Sequence, residues 1–242
     1  MNWTLIEGNC LQVMQQMDSN TIDAVIADPP YSSGGLTHAE RTADPIKKYI
    51  LGSTRRTYAT FAGDNRDQRS WTLWMTLWLS EAARLLRQGG RVYVFSDWRQ
   101  LPATTDAVQA AGLIWRGIIP WDKGRGARAP HTGYHRHQCE YVVFATQGRC
   151  EKLPPGMGGP FDGCIRATVP QAKRHPTEKP GGAIAPLVST VPLGGVILDP
   201  FAGSGTTLEE AVRAGRRAIG IEIEPHYCDV IRHRMTPFPQ SA

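Results

Sequence analysis

The chain has 242 residues, with Lys+Arg 27 against Asp+Glu 22 and a formal net charge of +5. A composition of 41% hydrophobic and 20% charged residues excludes a disordered chain and one embedded whole in a membrane. The length suits one domain, residues 1–242, with a sizeable core, and the mild positive excess suits a polyanionic partner without requiring one.

The opening MNWTLIEGNC lacks the basic-then-apolar pattern of a secretion leader, and no run approaches the length of a bilayer span, so no membrane partner is expected. Residues 22–27 (IDAVIA) read as a buried strand that stops at Asp28-Pro29-Pro30-Tyr31, because two prolines cannot continue a sheet ladder. Residues 32–70 are polar and rich in Lys and Arg, a long connection of the kind that serves function. From Trp71 to Leu86 apolar residues recur at helical spacing, and Gly89-Gly90 is expected to end that helix. The tryptophans at 71, 74 and 78 read as a helix face packed on a sheet rather than as a base-stacking stripe.

A strand (Arg91–Phe95), a helix (Pro102–Ala111) and strands near Leu113–Ile119 and Glu140–Ala145 follow, the last two separated by a basic loop. Gly and Pro then dominate up to Pro180, which excludes one regular element there. A helix (about Gly182–Val191), a strand (Val196–Leu198), a helix (about Thr206–Ala214) and a strand (Ala218–Glu222) alternate, and the tail TPFPQSA is expected to fray. Strands alternating with helices argue for an α/β sheet covered on both faces.

Cys10, Cys139, Cys150, Cys164 and Cys228 are scattered without a CxxC pair and read as the reduced thiols of a cytoplasmic protein. His131, His135, His137 and Cys139 match no standard zinc spacing, so no metal is expected and a polar loop is the reading there.

Two motifs carry chemistry. Asp199-Pro200-Phe201-Ala202-Gly203-Ser204-Gly205-Thr206-Thr207 follows a strand and opens a helix. Its glycines let the backbone turn sharply and approach a ligand closely, and Glu222 ends the next strand where a carboxylate can accept from both ribose hydroxyls. The spacing is neither GxGxxG nor a triphosphate-binding GxxxxGK[ST], and a glycine pair alone is often only a loop turn. The second motif, Asp28-Pro29-Pro30-Tyr31, reads by turn propensity alone as a rigid turn. Its chemical reading begins from the weak nucleophilicity of a nucleobase amine, whose lone pair is delocalised into the ring. A carboxylate (Asp28) and a carbonyl (Pro29) accepting its two N–H bonds favour a tetrahedral nitrogen, and Tyr31 offers a flat face to an extruded base.

Together these motifs resemble the amino-group DNA methyltransferases that use S-adenosylmethionine. Their order, DPPY first and the glycine loop last, is similar to that of the permuted β group. Leu5–Leu11 with Asn9-Cys10, EAARLLRQGGRVYVFSDW, IIPWDKG, CEYVVFATQG and His175-Pro176-Thr177-Glu178-Lys179-Pro180 resemble further family segments in the family's order, although the usual aspartate is Asn9 here. The resemblance implies a Rossmann-like methyltransferase fold with a mixed, mostly parallel sheet, helices on both faces and a circularly permuted motif order. It implies a catalytic edge of Asp28, Pro29, Pro30 and Tyr31. It also implies a cofactor site drawn from Asn9, Cys10, Asp28, His175, Lys179, Asp199, Phe201, Ala202, Gly203, Ser204, Gly205, Thr206 and Glu222, with Glu222 at the ribose and Lys179 at the methionine carboxylate.

The activity so implied is methyl transfer to DNA, with Asp before the two prolines favouring N6 of adenine over N4 of cytosine. Restriction-modification or phage contexts suit it, a homodimer suits the family, and no cysteine lies in the Pro-Cys loop of cytosine-C5 enzymes. A distant alternative methylates a glutamine amide or an RNA base, and a non-catalytic cofactor-dependent DNA-binding module is the reading from another class. Residues 146–174 fall where relatives place target recognition, and no separate C-terminal domain is expected after Glu222. A module that short reads few base edges, which predicts a short or relaxed recognition sequence.

Overall fold

A computed structural model describes residues 2–32, 66–125, 127, 129, 131–150, 152, 159–169 and 178–238. Among these residues eight strands form one sheet: β1 (Trp3–Glu7), β2 (Ile22–Ala27), β3 (Leu86–Ser96), β4 (Ile114–Asp122), β5 (Cys139–Thr146), β6 (Ile165–Arg166), β7 (Val196–Asp199) and β8 (Arg217–Glu222). Among the described residues six helices cover it: α1 (Cys10–Gln15), α2 (Gln68–Leu85), α3 (Leu101–Ala110), α4 (Gly181–Ser189), α5 (Thr206–Arg213) and α6 (Pro225–Arg234). The strand order is β1-β8-β7-β2-β3-β5-β4-β6, with β5 antiparallel to both of its neighbours and every other pairing parallel.

The central strands carry apolar runs where both faces are covered, as in Ala24–Ala27, Val92–Phe95 and Val196–Leu198, and successive residues alternate between two cores. Val25, Val92 and Leu198 join the core beneath α1, α2 and α3, whereas Ile26, Tyr93 and Ile197 join the core beneath α4, α5 and α6. In α2 the buried Trp71, Met75, Trp78, Leu79 and Ala82 follow the three- and four-residue spacing of one helix face. Asp67 caps that helix by accepting from the backbone N–H groups of Arg69 and Ser70. The tryptophan stripe is thus mainly core: Trp71 and Trp78 are fully buried.

Two local expectations are corrected, and a third segment is described in part. Gly89-Gly90 does not end α2, which stops at Leu85 and passes directly into β3. The pair lies inside the strand, where the Gly89 N–H donates to Gln147 O and the Gln147 N–H to Gly90 O. Gly89 has φ 77°, and a Cβ at Gly90 would meet Arg87 O at 2.8 Å, so the glycines serve a bend of the strand against β5. The first part of the tail does not fray: Trp3 Nε1 donates to Phe238 O at 2.6 Å and the Arg213 guanidinium lies over the Phe238 ring. The segment 146–174 is in part sheet, since β6 extends the edge beside β4 and Trp121 Nε1 donates to Ala167 O.

The parallel strands β1, β8, β7, β2 and β3 all end at one edge of the sheet, joined there by the end of β4 and the start of β5. Val25 pairs with Leu198, so Asp28 and Phe201 leave the sheet side by side. This is the point where the chain turns away in opposite directions from two neighbouring strands, the usual ligand crevice of open α/β sheets.

Candidate active site

The turn after β2 is held from two sides. Trp71 Nε1 of α2 donates to Pro30 O at 2.8 Å, and Gln100 Nε2, before α3, donates to Tyr31 O at 2.8 Å. The Pro29 carbonyl is left without a donor among the described residues, as an acceptor for an incoming amine must be. Gln100 is buried, and its Oε1 has no hydrogen-bond partner among the described residues.

Asp28 accepts from the Lys179 ammonium through both oxygens, at 2.8 and 2.7 Å, and from the Tyr31 hydroxyl at 2.9 Å. Glu140, at the start of β5, was not singled out in the sequence. Its Oε2 lies 3.3 Å from the Tyr31 hydroxyl and 3.4 Å from Lys179 Nζ, and its Oε1 accepts from Lys123 at 3.2 Å. Two carboxylates and two ammonium groups therefore balance around the tyrosine. Burial pushes the Asp28 carboxyl above its ordinary value, against the pull of Lys179. Burial would raise Glu140 as well, but Lys179 and Lys123 outweigh it and hold that carboxyl low. Burial would lower Lys179, yet Asp28 and Glu140 raise it, which keeps it an ammonium. Burial, then Asp28 and Glu140, push the Tyr31 hydroxyl well above its ordinary value, so it is a donor rather than a base.

This arrangement can release Asp28. Both donors that occupy its oxygens have Glu140 within reach as a second acceptor, so an amine can take their place without leaving the Lys179 ammonium unpaired.

The glycine loop lies on the other side of Asp28. Gly203 has φ 54° and a Cβ built there would meet only Phe201 O, at 3.8 Å, so the space over the loop is open to a ligand. Gly205, φ 82°, opens α5 against Ile231. Glu222 Oε2 accepts from the Gly203 N–H at 2.7 Å and Oε1 from the Glu224 N–H at 2.9 Å, leaving one further lone pair on each oxygen for ligand hydroxyls. Burial raises the Glu222 carboxyl above its usual value. Asn9 caps α1 by accepting from the Leu11 N–H, which asparagine does as well as the aspartate it replaces. Gly8, just before it, donates to Glu222 O, so Asn9 and Cys10 lie beside the glycine loop. Burial raises the Cys10 thiol to about 11, which makes it a wall and not a nucleophile.

Several predicted residues turn inward. Asp199 accepts from the Phe201 N–H and the Thr207 hydroxyl and shapes its own loop. Ala202 is buried and donates to Ile221 O. The Phe201 ring packs at 5.4 Å from Trp74 and 5.2 Å from Trp78 but stays only partly buried, at the crevice where its loop begins. Arg234 of α6, unremarked in the sequence, donates to Thr206 Oγ1 at 3.0 Å, Ser204 O at 3.1 Å, Glu178 at 2.9 Å and Glu209. Lys179 lies on the Asp28 side of the pocket. His175 and residues 33–65 lie outside the described residues. All five cysteines are free, and among the described residues no group of three His, Cys, Asp or Glu is placed to hold a metal ion.

Comparison with known proteins gives likenesses in sequence and in fold. A DNA methylase family model, that of the N6 and N4 methyltransferases, matches residues 22–155 and 160–233. The YubD protein of Escherichia coli (strain K12) is 30% identical over 227 residues, 92% of this chain and 85% of that protein. Type II methyltransferase M2.MboI of Moraxella bovis is 24% identical over 257 residues, 98% of this chain and 89% of that one. Among solved structures, TTHA0409 of Thermus thermophilus complexed with S-adenosyl-L-methionine superposes with a TM-score of 0.69 at 21% identity, covering 98% of this chain and 95% of that one.

Proposed function

Because the chain belongs to the DNA methylase family of N6 and N4 methyltransferases, we propose that it transfers the methyl group of S-adenosylmethionine to an exocyclic amine of DNA, N6 of adenine. The observation that carries this reading is the placement of the Asp28 loop and the Gly203 loop at the ends of adjacent strands, one offering acceptors for an amine and the other an open backbone cradle. Glu222 and the Gly203 backbone would hold the nucleoside, Asn9 and Cys10 its adenine end, and Phe201 the remainder. When bound, S-adenosylmethionine supplies a methyl group on a positively charged sulfur, and the fold likeness to TTHA0409 in its S-adenosyl-L-methionine complex supports that choice.

The chain's own part is positioning and electrostatics. Asp28 and the Pro29 carbonyl accept the two N–H bonds of the amine and direct its lone pair across the crevice. Lys179 and the Tyr31 hydroxyl pass toward Glu140 as Asp28 engages its new partner. A base inside a duplex cannot reach this crevice, so the target base is flipped or single-stranded. Asp ahead of the two prolines supports adenine, and N4 of cytosine is the alternative that the same acceptor pair would serve. A second copy of the chain would complete the grip on DNA.

The test is methyl transfer from labelled S-adenosylmethionine to DNA, with the modified bases then located by sequencing. Asp28→Ala should lose transfer by about a hundredfold or more while still binding the cofactor, since Glu140 remains to partner Lys179. Undiminished transfer would overturn the assignment of Asp28, and N4-methylcytosine in the product would replace adenine with cytosine.

A further inference from the structure

A ladder of rings stands beside the Asp28 loop. Trp98 and His137 stack with centroids 6.0 Å apart and planes 15° apart, Tyr134 lies 5.8 Å from His137, and His131 lies 5.5 Å from Tyr134. The Arg99 guanidinium covers the Trp98 ring at 4.5 Å. Trp98 is 47% exposed and Tyr134 51% exposed. Single exposed aromatics need no explanation, but a continuous file of them is costly to keep in water unless something covers it.

The ladder is rooted in the site at one end, through its stacked pair Trp98 and His137. Trp98 is two residues before Gln100, which holds Tyr31 O, and His137 is three residues before Glu140, which lies beside the Tyr31 hydroxyl. Its surroundings are cationic: the sequence from Lys123 to Cys139 contains no Asp or Glu, and Arg99 and Arg136 are exposed along it. The Asp97 carboxylate beside it is turned to the backbone N–H groups of Arg99 and Gln100. Flat π faces flanked by guanidinium groups match bases on a phosphate backbone.

We propose that Trp98, His137, Tyr134 and His131 form a stacking platform for unpaired DNA bases that neighbour the target, holding the strand open on one side of the crevice. The inference rests on the reading of the chain as an enzyme acting on DNA. Stacking on aromatic side chains tolerates any sequence, because every base has a π face.

The test measures binding of a labelled, mixed-sequence single-stranded oligonucleotide and of its counterpart with alternate abasic nucleotides, to the full chain and to Trp98→Ala/Tyr134→Ala. The full chain should prefer the intact strand by about tenfold or more, and the double variant should lose that preference while binding cofactor normally. Trp98→Phe/Tyr134→Phe should restore it. The platform is overturned if the double variant keeps the preference, or if the full chain never shows one. It is also overturned if the variant changes only the oligomeric state, which would give the rings to a second copy. Absence of methyl transfer to any DNA by the full chain would instead remove the underlying reading.

Discussion

Asp199 ends β7 with its carboxyl almost wholly removed from water, and burial raises it from its ordinary 3.8 to about 7. Between those two values the folded protein holds a proton that the unfolded chain has released, so stability present at low pH is lost as pH rises toward 7. Asp199→Asn keeps the acceptor for the Phe201 N–H and removes the titration. Denaturant unfolding from pH 4 to 8 should therefore show a decline in the parent, with Asp199 contributing at most about 1.4 kcal/mol per pH unit, that is shallower in the variant, where the raised Asp28 and Glu222 carboxyls remain. A parallel decline in both would show that another group is responsible. Lys179 shows the complementary lesson: its two carboxylate partners, not its exposure, keep it charged.

Among the elements, α6 does more than cover β1 and β8. It delivers Arg234 into a buried site where one guanidinium serves Ser204, Thr206, Glu178 and Glu209. The glycine loop thus keeps its open shape because a helix from the far end of the chain braces it. Arg234→Met breaks the buried ion pair with Glu178, while Glu209 keeps Arg213, and loss of one partner of a buried pair costs about 3–5 kcal/mol. Chemical denaturation should show a loss of that order, and cofactor affinity measured by calorimetry should fall with it. Full affinity in a destabilised variant would confine the brace to folding. The α2–β3 junction makes a related point, since glycines that look like a helix stop instead bend a strand whose partner lies in β5.

At the scale of the whole molecule, one sheet edge gathers the acceptors for an amine, the open glycine loop and the ring ladder. No helix among the described residues is long and apolar enough to cross a membrane. The segment proposed for target recognition, 146–174, is short, and among its described residues Ile165 and Arg166 belong to an edge strand, with Ile165 buried. Methylation mapping should accordingly find a short or relaxed site, and a strictly read site of about six base pairs or more would contradict this view.

What could be read from the chain itself was whatever has a local signature. The buried run IDAVIA, the amphipathic face of α2, the alternation of strands and helices and the two motif loops follow from periodicity and turn chemistry within short windows. Folding had to decide the rest, because the partners are distant. Lys179 meets Asp28 across 151 positions, Glu140 meets Tyr31 across 109, and Trp3 meets Phe238 across 235. No spacing rule links such residues. They meet only because the strand order sets β2 between β7 and β3 and turns β5 back so that its start faces the same edge, and a charge is buried there only where that order supplies its counter-charge.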